Sequence, residues 1–142
     1  MSAPLTLSAE FRKLVDAQME KVLKGIEVTF NEITEKQKIT PLELKDELES
    51  LEESFNFLFQ KWSLEILYFL MLKDSIGFGE IKKILTVNSR TLSDKLKMLQ
   101  KHGYITRNIK AGPPLRVEYT LTQKGKNTVL LALPLLYYTS SA

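Results

Sequence analysis

Residues 78–103 read FGEIKKILTVNSRTLSDKLKMLQKHG, and the order of signals in this stretch decides the fold. Phe78, Ile81, Ile84 and Leu85 give a short helix with an inward apolar side. Thr86 to Asn88 is a turn. Ser89 or Asn88 then caps a second helix, in which Leu92, Leu96 and Leu99 recur at i, i+4 and i+7. Gly103 ends that helix as the residue just past it, with Lys101 and His102 in the last turn, where positive charge is favoured. A short helix, a tight turn and a capped amphipathic helix form a helix-turn-helix.

Downstream the period changes from about 3.6 to 2. Ile105, Arg107 and Ile109 alternate with Thr106 and Asn108, and Leu115, Val117, Tyr119 and Leu121 alternate with Arg116, Glu118 and Thr120. Lys110-Ala111-Gly112-Pro113-Pro114 lies between them, so the two runs form a two-stranded hairpin with a Gly/Pro loop. Thr122 caps a last helix that carries Val129, Leu130, Leu131 and Leu133 before Pro134.

Upstream, residues 57–72 are apolar on most sides and predict a buried helix, followed by a break from Asp74 to Gly77. Either the helix that begins after Thr40 runs unbroken into it, or Ser54 or Asn56 caps a fresh start. Thr40-Pro41-Leu42-Glu43 is a helix start, with Thr as cap, Pro at the first helical position and Glu reaching back. Leu44, Leu48, Leu51, Phe55, Leu58 and Trp62 form the stripe that follows. Before it, Phe11, Val15, Met19, Val22, Ile26, Phe30 and Ile33 define one long helix over residues 8–38. Gly25 weakens that helix by roughly 1 kcal/mol relative to Ala.

These elements predict a mainly α (α+β) winged helix-turn-helix with a two-stranded β-hairpin wing and a long helical N-terminal extension. The expected organisation is a helical extension over 1–56, a winged helix-turn-helix domain over 57–122 and a C-terminal helix over 123–142, the first and last serving dimerisation.

Composition narrows the chemistry. The chain has no cysteine and one histidine, His102, which removes disulfides and thiolate chemistry and leaves a histidine metal site short of ligands. No catalytic residue, metal or cofactor is expected, and no enzyme. Gly77-Phe78-Gly79 lacks the length and context of a phosphate-cradling loop. Trp62, Phe55, Phe57 and Phe59 read as packing, with a small effector pocket near the three phenylalanines as the open alternative, and His102 reads as a helix-end residue. No run of about 18 apolar residues crosses a membrane, and Met1 to Leu7 lacks the pattern of a signal peptide, so the expected compartment is the cytoplasm.

Charge is segregated. Residues 1–60 hold seven Lys/Arg and twelve Asp/Glu, a balance of −5; residues 61–142 hold thirteen and five, a balance of +8; the two add to the net +3. A basic C-terminal part fits a polyanion. With Leu92, Leu96 and Leu99 inside, the helix that follows the turn shows Arg90, Thr91, Asp94, Lys95 and Lys97 outward, with Ser93 at the boundary. Arg90 has the fork that fits a guanine edge, and Asn88, Ser89, Thr91 and Ser93 suit bases or phosphates. Lys95 and Lys97 suit phosphates. Asp94 either accepts from a cytosine amino group or pairs with Arg90 at i, i+4. Arg107, Lys110, Gly112 and Arg116 make a basic wing. The expected partner is double-stranded DNA, read by a transcription regulator. The alternative is a winged-helix protein-interaction or architectural module without sequence-specific DNA binding.

The long N-terminal stripe and the apolar run from Val129 to Tyr138 are more than a module this small buries against itself, which predicts a homodimer. A two-fold pair would hold two reading helices about 34 Å apart, one DNA turn.

Lys61-Trp62-Ser63-Leu64-Glu65-Ile66-Leu67, then Phe78-Gly79-Glu80-Ile81, Ser89-Arg90-Thr91-Leu92, Gly103-Tyr104-Ile105 and Val117-Glu118-Tyr119-Thr120-Leu121-Thr122 resemble the HxlR-type winged-helix regulators over about residues 58–130. The resemblance implies a homodimeric, sequence-specific DNA-binding regulator whose recognition helix begins at Ser89 and whose wing spans 107–116. Archaeal winged-helix regulators of similar size are a second resemblance. Two departures stand out. Roughly 55 extra residues precede the Lys-Trp motif, and the N-terminal cysteine through which several members sense oxidants is missing, so that mechanism is closed to this chain.

Overall fold

The computed structural model describes residues 6–140. Residues 1–5 and 141–142, which hold most of the Met1–Leu7 stretch and the outer ends of the predicted terminal segments, lie outside the described residues. The order of elements is α1 (Thr6–Gln37), α2 (Pro41–Leu58), α3 (Ser63–Leu72), β1 (Ile76–Gly77), α4 (Phe78–Leu85), α5 (Ser89–Lys101), β2 (Ile105–Lys110), β3 (Arg116–Leu121) and α6 (Gln123–Thr139). This is a winged helix, mainly helical with a small antiparallel sheet. The chain divides into two units, Glu53–Leu130 on one side and residues 6–52 with 131–140 on the other.

The Glu53–Leu130 unit has one core. Ile66, Leu67 and Leu70 of α3, Ile81 and Leu85 of α4, and Leu92, Leu96 and Leu99 of α5 meet Ile105, Tyr119 and Val129. Each fully buried leucine of α5 contributes about 1.5–3 kcal/mol, which fixes the rotation of that helix about its axis. The caps work as the sequence predicts at three points. The Thr91 backbone N–H donates to Asn88 Oδ1 at 2.8 Å, so Asn88 rather than Ser89 is the cap. Gly103 closes α5 with φ 83°. The Gly125 N–H donates to the Thr122 hydroxyl at 3.0 Å, and that hydroxyl donates to the Gly103 carbonyl at 2.6 Å, tying the start of α6 to the end of α5.

Three sequence expectations need correction. Neither Ser54 nor Asn56 starts a helix: α2 runs through both to Leu58, and a turn leads to α3. At that turn Trp62 takes φ 78°, and the buried Ser63 hydroxyl donates to the Phe57 carbonyl at 3.1 Å. The two-stranded hairpin of β2 and β3 forms as expected, but Ile76 and Gly77, read as a break, make a third strand by pairing with Tyr119 and Glu118 at the other edge of β3. Ile84 is exposed rather than inward, because Ile81 and Leu85 alone define the buried line of α4. α6 holds Pro134 inside it and runs on to Thr139, within the C-terminal helix read over 123–142.

In the other unit, the start signal at Thr40 forms its reciprocal bonds, Glu43 N–H to Thr40 Oγ1 at 3.2 Å and Thr40 N–H to Glu43 Oε1 at 3.4 Å. Near the start of α1 the Phe11 ring stacks on Tyr137 of α6 with centroids 5.9 Å apart, and Arg12 Nη2 donates to Ser140 Oγ at 2.8 Å. Among the described residues no helix is long and apolar enough to cross a membrane.

Candidate nucleic-acid interface

The α5 face is set by its buried side. With Leu92, Leu96 and Leu99 nearly inaccessible, a rotation of about 100° per residue turns Arg90, Asp94, Lys97 and Lys101 to the opposite side, and all four are exposed. Among the described residues none of these four makes an ion pair, including the Arg90–Asp94 pair that the i, i+4 spacing allows. Ser89 and Thr91 are exposed at the start of the helix, and Ser93 is partly covered at its edge. Asn88 is exposed, but its carbonyl oxygen is engaged as the cap. Asn88 is therefore first a structural residue, with only its amide N–H groups free to donate.

Lys95 departs from the sequence reading. Its rotation leaves it on the flank of the leucine line, not on the outer face. Its ammonium donates to Gln60 Oε1 at 3.0 Å and lies 5.2 Å from the Phe57 ring centroid. Burial there lowers its pKa below the ordinary lysine value. A cation committed to an amide and a ring on its own chain is poorly placed for a phosphate.

The hairpin brings the wing cations to α5. Cross-strand register pairs Arg107 with Tyr119 and Lys110 with Arg116. Arg107 and Arg116, together with Ser93, Lys97 and Gln100 of α5, line an open cleft of about 930 Å³. Two acids border this cleft and both are engaged: Glu80 by Lys73 at 2.6 Å, and Glu118 by Lys110 at 3.4 Å. The Glu118 contact was hidden in the sequence, and it partly neutralises Lys110, so among the described residues Arg107 and Arg116 are the wing cations without an ion pair. Gly112 sits in the loop between the strands at φ 133°. The wing exposes Ile109 near the end of β2 and Leu115 just before β3, so the alternation read through Leu115 starts only at Arg116.

Two residues of this surface were not singled out in the sequence. Lys101 lies eleven positions after Arg90 on the same face, a spacing that was available. Gln100 needed the hairpin's position before its place in the cleft was visible. Among the described residues no group of His, Asp and Glu gathers as metal ligands. Tyr104, buried beneath α5's end, has its phenol pKa raised by desolvation, and the Lys124 ammonium lies 4.9 Å from its ring centroid.

Residues 57–137 match the family model described as HxlR-like helix-turn-helix. The uncharacterized HTH-type transcriptional regulator YvaP of Bacillus subtilis (strain 168) is 36% identical over 76 residues, which cover 53% of this chain and 69% of YvaP. A second from the same organism, the uncharacterized HTH-type transcriptional regulator YdzF, is 37% identical over 68 residues, covering 47% of this chain and 62% of YdzF, less than two thirds of it. Among solved structures, the reduced form of the transcriptional regulator YodB from B. subtilis superposes with a TM-score of 0.56 at 24% identity, over 70% of this chain and 90% of that one; at that identity the likeness is one of fold. Residues 6–37, the whole of α1, precede the family match.

Proposed function

Because the chain belongs to the HxlR-like helix-turn-helix family, a family of regulators and not of enzymes, we propose that it is a cytoplasmic, homodimeric transcription regulator that reads a specific duplex sequence. α5 enters the major groove, and the wing lies along the neighbouring backbone. In this reading Arg90 contacts a base edge, with Ser89, Thr91, Ser93 and Asp94 around it. Lys97, Lys101, Arg107 and Arg116 meet phosphates. Lys110, shared with Glu118, adds less, and Lys95 and Asn88 hold α5 in position. The helical extension and the end of α6 supply the dimer, and the acidic balance of residues 1–60 suits a part that faces away from DNA.

One observation carries the reading. The outer face of α5 presents an arginine and two lysines with no ion pair among the described residues, while the inner face is locked by three buried leucines. A helix held that firmly on one side keeps its charges in one geometry on the other. Selection of bound sequences from a random duplex pool tests it. The expected outcome is a near-palindrome with half-sites about one helical turn apart. A pool that emerges without enrichment, from a protein that still binds DNA, would leave only sequence-independent binding.

The exposed apolar side chains of α1 favour a second reading, a protein-docking module. Titration against random duplex DNA at low salt separates the two, since a docking module alone shows no binding that salt weakens.

A further inference from the structure

α1 carries one apolar stripe, and its two halves differ. Phe11, Val15 and Met19 are partly covered, with Phe11 stacked on Tyr137. From Val22 the stripe continues at the same spacing and is bare: Val22 is 46% exposed, Ile26 59%, Phe30 52% and Ile33 46%. The bare half contains a gap. A β-carbon at Gly25 would meet nothing within 4 Å, and Gly25 lies in a shallow groove edged by Val22, Ile26, Thr29, Phe30 and Ile33.

We propose that the bare half of α1 pairs in parallel with the same segment of a second copy of this chain, the partner's Phe30 filling the gap at Gly25. The proposal rests on the homodimer reading above and adds the contact surface and its direction. Its warrant is the spacing. Met19, Ile26 and Ile33 are seven apart, and so are Val15, Val22 and Thr29, offset by four and three: the seam of a two-stranded coiled coil. Gly25 and Phe30 flank that seam on opposite sides. In a parallel pair, a residue on Gly25's flank faces the opposite flank of the partner five positions on, and five positions after Gly25 is Phe30. An antiparallel pair would set like flanks together, Gly25 against the partner's Glu32, and leave the gap beside a carboxylate. About two heptads of bare seam are short for an isolated coiled coil. The pairing therefore adds to other apolar surface of the same unit, such as Leu131 and Tyr138 of α6, 77% and 71% exposed.

The absence of cysteine from the 142 residues makes the test clean, because a single introduced thiol is the only one among them. The variants are Val22→Cys, Ile26→Cys and Ile33→Cys on the seam and Lys24→Cys on the opposite face, each oxidised mildly and run on a non-reducing gel. All three seam variants are expected to give a covalent dimer, and Lys24→Cys at least tenfold less. Cross-linking at Ile26 alone means an antiparallel crossing and overturns the proposal. No cross-link at any seam position in a protein that is dimeric by light scattering and binds duplex DNA overturns it too, while leaving the regulator reading in place. A monomer by light scattering overturns the pairing and the homodimer reading together. As a second measurement, Gly25→Leu favours helix but fills the gap, so it should raise the dimer dissociation constant at least tenfold, and adding Phe30→Ala should recover most of that loss. An unchanged dissociation constant for Gly25→Leu would also overturn the proposal.

Discussion

Gly125 in the Glu53–Leu130 unit and Gly25 in α1 are both helical glycines, with opposite surroundings. At Gly125 an added β-carbon would run into the Tyr104 carbonyl oxygen and the Leu121 side chain; at Gly25 it would meet open space. The same residue type thus marks close packing in one region and an unoccupied surface in the other. The first region owes its shape to its own chain: leucines of α5 at 0–1% exposure, a hydroxyl that joins two helices, a sheet with a third strand on its edge. α1 has the periodicity of a packed helix, yet from Val22 to Ile33 its stripe stays exposed. Periodicity therefore tells which side of a helix will be covered, and not by whom.

The largest expected effect tests this contrast directly. Gly125→Ala should destabilise the protein by upwards of about 3 kcal/mol, because the obstruction is backbone that cannot swing aside. Gly25→Ala should stay within about 1 kcal/mol of wild type. Urea denaturation of both checks it, and equal shifts would break the comparison.

Next comes a change that should spare the core and alter only its outer face. Arg90→Ala should cost about 1–3 kcal/mol at a selected DNA site, much less on random duplex, and leave the urea midpoint unmoved. Fluorescence anisotropy on both DNAs reads it; equal losses on the two would assign Arg90 to the backbone.

A smaller effect separates two neighbouring lysines of α5. Lys97→Ala should lower the slope of log affinity against log salt by about one. Lys95→Met should leave the slope as it was, since its ammonium is already held by Gln60 and Phe57. If Lys95→Met flattens the slope as much, the burial seen here does not persist on DNA.

The smallest effect is in alkali. Burial lowers the pKa of Lys95 from 10.5. Between that depressed value and 10.5 the unfolded chain binds the proton that the folded chain has released, so this group makes stability rise with pH. Tyr104 is raised from 10.0. Above 10.0 the folded chain holds the extra proton, and that stability is lost as pH rises through the folded pKa. Urea midpoints from pH 9 to 11 should therefore turn more steeply downward in Lys95→Met, which removes the rising limb. An unchanged profile would mean that Lys95 is solvated.

Much of the architecture was legible because it rests on local signals. Thr40-Pro41, Asn88, Gly103 and Thr122 each satisfy or release backbone groups within a few residues, so the helix ends could be read one at a time. The change from a period of 3.6 to 2 at Ile105 located the wing. What was hidden depends on neighbours far along the chain. A two-residue strand has no period, so β1 became visible only beside Tyr119 and Glu118. The turn at Trp62 needs a buried serine to take up the Phe57 carbonyl. For the candidate site, the outward face of α5 followed from its leucines, but the different surroundings of Lys95 and Lys97 did not, because they depend on where Phe57 and Gln60 lie. The contact of Glu118 with Lys110 likewise required the hairpin register.

Trp62 gives the molecule a built-in optical label. It is the chain's one tryptophan, partly buried against the winged-helix core, with the Lys61 ammonium 4.6 Å from its ring centroid. Light absorbed by the indole is therefore emitted from one unit alone. Far-ultraviolet dichroism, by contrast, includes the 32 residues of α1. Melts followed by the two signals superimpose only if both units unfold as one cooperative block. A gap between the curves would measure, without any added dye, how independently the exposed helix comes apart.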